Sequence, residues 1–177
     1  PLIVPQVNAA NIKNIKKNII ANANCSTIQM VLALKPLHEA FKIKRIIVST
    51  YQSVSGAGKD SMDELIDQTK LALDKKKIKS INFTKQIAFN AIPHIDVFSD
   101  NGYTNEEMKM INETKKILDK DINVTATCVR VPVLVSHAES VNIEFEKKFT
   151  LEKVIKLLNT AEAVSYTHLR AHETRNY

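Results

Sequence analysis

The chain has 177 residues, 44% hydrophobic and 25% charged, which suffices to bury the core of one domain or slightly more and argues against disorder. Its net charge of +6 rests on lysines scattered over helical faces, with Lys75-Lys76-Lys77 the only triplet, a pattern of solvated surface that can still attract anionic substrates. With no Trp and few aromatics near the basic positions, a stacking platform for nucleic acid is not supported, and no apolar run approaches the length of a membrane span.

Taken in chain order, Pro-Leu-Ile-Val-Pro at the start carries neither an initiator Met nor a targeting pattern, so the expectation is a strand or its exit loop with an upstream piece missing. Ser26 to Phe41 is apolar almost all round and predicts a buried helix, and the β-branched Ile43 to Ser49 predicts a strand. Gly56 and Gly58 mark a turn. Behind it Ser61-Met-Asp-Glu64 has the spacing of a capping box, followed by a helical stripe of Met62, Leu65, Ile66, Thr69, Ala72 and Leu73. A second box, Thr104-Asn-Glu-Glu107, predicts a helix to about Leu118.

Asn123 to Val135 alternates and is β-branched, while Val141, Ile143 and Phe145 point one way from a strand whose other face is polar. One-sided strands of this kind predict an α/β or α+β architecture with a mixed, largely antiparallel sheet backed by helices. Thr150 to Val164 reads as one more helix. The remaining residues, 165–177, lose apolar periodicity and resemble translated adapter sequence, so they are set aside as a non-native tail. His168 and His172 stand four apart there, a spacing that could hold a metal on a helix, but a tail of this character gives no reason to assign one.

Two cysteines without a secretory signal suit a reducing, cytoplasmic location better than a disulfide framework. Cys25 follows the polar turn Asn22-Ala-Asn24 and opens the buried helix, where backbone N–H groups and the positive end of the helix dipole stabilise a thiolate and could hold an oxyanion. The bland alternative, a small buried residue beside an Asn cap, is open on spacing alone. Cys128 lies within an alternating strand and reads as core.

The runs NANCSTIQMVLALKPL and TYQSVSGAGKDSMDEL, followed in order by AFNAIPHIDVF, NGYTNEEMKMINETKKIL and RVPVLVSHAESV, resemble the aspartate-semialdehyde dehydrogenase family from Pro1 to Val164. Ala23 stands where that motif usually has Pro, which removes a fixed φ before the nucleophile but no reacting group. The resemblance implies the catalytic domain of a two-domain dehydrogenase: residues 1–24 as the exit of a truncated nucleotide-binding domain and 25–164 as the catalytic and dimerisation domain. It implies NADP-dependent interconversion of L-aspartate 4-semialdehyde plus phosphate with 4-aspartyl phosphate, in lysine, threonine and methionine biosynthesis, by a homodimer.

By the same resemblance Cys25 is the nucleophile and His137 the acid–base group. Gln52, Glu106 and Arg130 bind substrate, the arginine through the α-carboxylate, and Lys109 binds phosphate. Ser55, Gly56, Ala57 and Gly58 form the turn against the nicotinamide. Glu107 is left to capping, and His38 and His94 to structure. The family's Gly-rich nucleotide unit is not among these residues, so the chain alone is expected to be inactive. Other readings stay open at this point: another phosphorylating aldehyde dehydrogenase of the N-acetyl-glutamyl-phosphate reductase or glyceraldehyde-3-phosphate dehydrogenase kind, a thiol hydrolase using Cys25 and His137, or a basic binding module.

Overall fold

A computed structural model describes residues 1–15 and 17–165, so His168 and His172 and nearly all of the expected tail lie outside the described residues. Strand β1 (Leu2–Ile3) pairs in parallel with β2 (Ala21–Asn22), and between them run a short helix, α1 (Pro5–Asn8), and a 3-10 turn (Ala9–Asn14). Helix α2 (Cys25–Phe41) follows, then β3 (Ile43–Gln52), α3 (Lys59–Leu73), α4 (Asn105–Ile117), β4 (Asn123–Arg130), β5 (His137–Phe145) and α5 (Leu151–Thr160).

The main sheet has the order β4-β3-β5. Its β3–β4 ladder is parallel and its β3–β5 ladder antiparallel, so the sheet is mixed, as expected, with the two senses in equal share. A register irregularity between Ile43 and Arg45 lets Ile43 and then Ile46, Val48, Thr50 and Gln52 all face inward. On that face α2 and α4 pack against Ile46, Val48, Ala126 and Cys128, closing a core around Phe41, Met110 and Ile122. From α5, Val154, Leu157 and Leu158 cover one side of it. A smaller cluster of Val54, Leu65, Ile87, Ala88 and Ile92 lies under α3. Among the described residues no helix is long and apolar enough to cross a membrane.

The capping box at Thr104 forms as predicted, with Thr104 Oγ1 accepting from the Glu107 amide and Glu107 Oε2 from the Thr104 amide. The one at Ser61 does not. Helix α3 starts three residues earlier, after Gly58 at φ +94°, so Ser61 lies inside it and donates its hydroxyl to Ala57 O. Glu64 is instead a buried anchor whose carboxylate accepts from the Ile81 and Asn82 amides and from Gln68 Nε2. Strand β4 stops at Arg130, short of the predicted Val135, and Val131 and Val133 turn back so that Val133 O and Leu134 O accept from the Val54 and Ser55 amides. Helix α5 ends at Thr160 rather than Val164.

Candidate functional site

Asn24 caps α2: its Oδ1 accepts from the Ser26 amide at 3.0 Å and the Thr27 amide at 3.2 Å, and this fixes Cys25 as the first helical residue, exposed to solvent. The expectation that several free amides would surround the sulfur is therefore corrected. The cap consumes those of Ser26 and Thr27, and among the described residues only the Cys25 amide at this helix start is left without an acceptor.

The sheet supplies the opposite wall. In the ladders Gln52 is registered with Arg130 on one side and with His137 on the other, so three residues far apart in sequence form one row across β4, β3 and β5. The backbone enters β5 through Ser136 at φ +84°, an uncommon conformation for a residue with a side chain, and this turn delivers the imidazole to the helix start. His137 Nε2 stands 3.3 Å from Cys25 Sγ.

From α4, Glu106 comes in buried. Its Oε1 accepts from Asn24 Nδ2 at 2.8 Å and Gln52 Nε2 at 3.1 Å, and its Oε2 lies 3.5 Å from Lys109 Nζ. Lys109 also binds Asp96 Oδ2 at 3.1 Å. Burial opposes the ammonium charge, but the bond to Asp96 and the charges of Glu106 and Asp96 outweigh it and raise its pKa. Asp96 is correspondingly lowered, first by the Val97 amide and then by Lys109.

Arg130 is 7% exposed and donates from Nη1 to Ser53 O at 2.6 Å. Burial lowers the pKa of its guanidinium, against the smaller opposite pull of the Glu106 charge. A cavity of about 300 Å³ opens beside Arg130, lined also by Ala57, Ile92, His94 and Asp96, a volume suited to a small metabolite.

The turn at Ser55–Gly58 closes the site from the third side. A Cβ on Gly56 would lie 3.2 Å from Arg130 Nη1 and 3.6 Å from the His137 ring, so the absence of a side chain lets the backbone approach both. Ser55 Oγ is 2.9 Å from Ser53 Oγ. Gly58 differs: nothing stands within 4 Å of its would-be Cβ, and its contribution is the positive φ that starts α3.

The residues singled out in the sequence thus converge on one locus, with Gly58 at its edge. Three contributors are not singled out there. Asn24 reads only as a cap, yet also positions Glu106; Asp96 has no local signature; Ser53 is visible only as the residue beyond Gln52. Cys128 is core as expected, fully buried with its thiol pushed up to about 12 mainly by burial, and both cysteines are free. His38 accepts the Ile43 amide on Nδ1 and faces Asp119, a structural role. His94 stacks on Phe98 with ring centroids 4.5 Å apart.

A family model described as semialdehyde dehydrogenase, dimerisation domain, matches residues 34–175. The aspartate-semialdehyde dehydrogenase of Helicobacter pylori is 51% identical over 93% of this chain, and that of Bacillus subtilis 52% over 93%. The chain spans about half the length of these curated relatives, 51% and 50%. A crystal structure of aspartate semialdehyde dehydrogenase II complexed with ASA from Vibrio cholerae superposes with a TM-score of 0.87 at 49% identity, over 97% of this chain and 54% of that one. The Candida albicans enzyme with NADP gives 0.63 at 28%, over 92% and 45%.

Proposed function

The chain belongs to the semialdehyde dehydrogenase family through its dimerisation domain, and on that premise we propose that it carries the catalytic half of an NADP-dependent aspartate-semialdehyde dehydrogenase, active as a homodimer. In this reading residues 25–164 form the catalytic and dimerisation domain, 1–24 are the exit of the nucleotide-binding domain, and 165–177 are a non-native tail. The observation that carries the reading is the Cys25 Sγ to His137 Nε2 contact of 3.3 Å, flanked by a buried arginine and a buried carboxylate.

The proposed steps use the groups where they stand. Attack of the Cys25 thiolate on the aldehyde carbon of aspartate semialdehyde forms a C–S bond and moves the carbonyl pair to oxygen, where the His137 imidazole can exchange a proton with it. Arg130 presents a planar donor fork to the α-carboxylate. Glu106, held by Asn24 and Gln52, offers its charge to the substrate ammonium. After oxidation to the thioester, inorganic phosphate breaks the C–S bond and releases 4-aspartyl phosphate, with Lys109 drawing in the anion. In the resting site Asp96 already holds that lysine, so phosphate must compete with a carboxylate.

The turn fits a nicotinamide: exposed Gly56 and Ala57 present bare backbone beside His137, with no Cβ on Gly56 to hold a ring away. Ser55, Gly56, Ala57 and Gly58 would hold it, and when bound it takes up the two electrons of the oxidation.

Iodoacetamide alkylation of Cys25, located by peptide mass spectrometry, tests the reading. His137→Ala is expected to slow the reaction at neutral pH by roughly tenfold or more, with buried Cys128 unreacted as an internal control. A Cys25 that reacts like a free thiol with or without His137 would sink the assignment of both.

A further inference from the structure

The contacts on the far side of the imidazole decide which of its nitrogens carries the proton. His137 Nδ1 receives the Ser53 backbone N–H at 3.0 Å, and a backbone amide can only donate. A proton on Nδ1 would point at that amide hydrogen. The Ser53 hydroxyl, 3.3 Å from the same nitrogen and shared with Ser55 Oγ at 2.9 Å, can donate alongside the amide. Ser53 itself has no freedom to withdraw: it is fully buried, follows the registered pair Gln52–His137 in the ladder, and its carbonyl is held by Arg130 Nη1 at 2.6 Å.

We propose that Ser53 is the positioning residue of this site, its amide holding His137 in the tautomer with a bare Nδ1 and a protonated Nε2, so that the resting hydrogen bond runs from the imidazole to the Cys25 sulfur. The inference rests on the reading of Cys25 and His137 given above and adds the direction of their bond. With Nε2–H facing Sγ, the sulfur is the acceptor, so the resting ring cannot take the thiol proton and instead stabilises negative charge on sulfur. For Nε2 to act as a base, the ring must carry its proton on Nδ1. That state breaks the amide contact and leaves the Ser53 hydroxyl as the one acceptor within reach on that side among the described residues. Because the carbonyl of the same residue holds the Arg130 fork, Ser53 couples the imidazole to the proposed carboxylate clamp.

The full chain labelled with 15N at histidine tests this by long-range 1H–15N correlation at neutral pH, with the His137 signals assigned by their loss in His137→Gln. The expected pattern is a pyrrole-type Nε2 and a pyridine-type Nδ1, unchanged in Ser53→Ala, which keeps the amide and removes the hydroxyl. A pyrrole-type Nδ1, or shifts averaged as in free histidine, would overturn the proposal. So would a tautomer that reverses in Ser53→Ala, since control would then lie with the hydroxyl. The alkylation comparison separates this from the functional reading. If Nδ1 proves protonated while His137→Ala still slows Cys25, the tautomer assignment falls and the catalytic pair stands. If Nε2–H is found and His137→Ala leaves Cys25 unchanged, the tautomer stands and the catalytic pair falls, and with it the proposed service of that bond to the sulfur.

Discussion

Two positions, Gly56 beside His137 and Glu139 on β5, show what a single residue contributes. At Gly56 an added methyl meets Arg130 Nη1 at 3.2 Å, the movable end of a long side chain, and the imidazole at 3.6 Å. Gly56→Ala is therefore expected to leave stability within about 0.5 kcal/mol while changing the Cys25 alkylation rate by roughly threefold or more, because small displacements of a reacting pair are amplified. An unchanged rate together with an unchanged urea midpoint would show that the close approach has no consequence for the pair.

Glu139, two residues after His137 in β5 and therefore on the same face, is half-buried and bound by Gln29 Nε2 at 2.8 Å. Burial pushes its carboxyl up to about 7, against the smaller opposite pull of Gln29. Since the folded state holds this proton more tightly than the unfolded chain, the associated stability is complete below the ordinary value of 4.5 and is lost as pH rises through about 7. Glu139→Gln cannot ionise. It should match the parent near pH 4 and exceed it near pH 8 by on the order of 1–2 kcal/mol in urea unfolding, and a gap that does not widen with pH would contradict the burial argument.

Elements are tied together here by buried carboxylates on helices. Glu107 closes the cap of α4 with Oε2 and reaches the Cys128 amide with Oε1, joining that helix to β4. Glu64 does the equivalent for α3 and the 81–82 segment, and Gln68 extends it by accepting the Ile87 and Ala88 amides. Glu64→Ala would strand two backbone donors and the Gln68 amide, at an expected cost of about 2–3 kcal/mol. Thermal or urea unfolding measures this directly. A loss below about 0.5 kcal/mol would mean that water replaces the carboxylate without penalty. The site feels α3 less than α4, since α4 carries both Glu106 and Lys109, three residues apart on one face, whereas α3 contributes only the turn that precedes it.

At the scale of the whole molecule, the chain brings Cys25, His137 and the charges of Glu106, Lys109 and Arg130 to one locus, yet spans about half the length of its relatives. The turn at Ser55–Gly58 is proposed as one edge of a cofactor site, and no Gly-rich phosphate cradle accompanies it in the sequence. The 177-residue chain is accordingly expected to show Cys25 reactivity without dehydrogenase turnover. A steady-state assay with aspartate semialdehyde, phosphate and NADP that found family-like rates would refute this.

The sequence by itself determined what depends on near neighbours and on local pattern. Cys25 at a helix start, the Thr104–Glu107 cap, the β-branched strand of β3 and the burial of Cys128 were all legible, because capping and strand propensity act over a few residues. The roles proposed for His137, Arg130, Glu106 and Lys109 come from resemblance, since each alone reads as a surface charge or a structural ring. At Ser61 even the local pattern misled: Gly58 offered an earlier start, and Glu64 bonds to amides seventeen and eighteen residues away. Tertiary structure alone decided the row Arg130–Gln52–His137, the competition of Asp96 for Lys109, and the Ser53 amide behind the imidazole. The physical reason is that strand register and helix placement are settled by the packing of a shared core. Which backbone group meets which side chain across about eighty residues of chain follows from that packing and is written in no local segment.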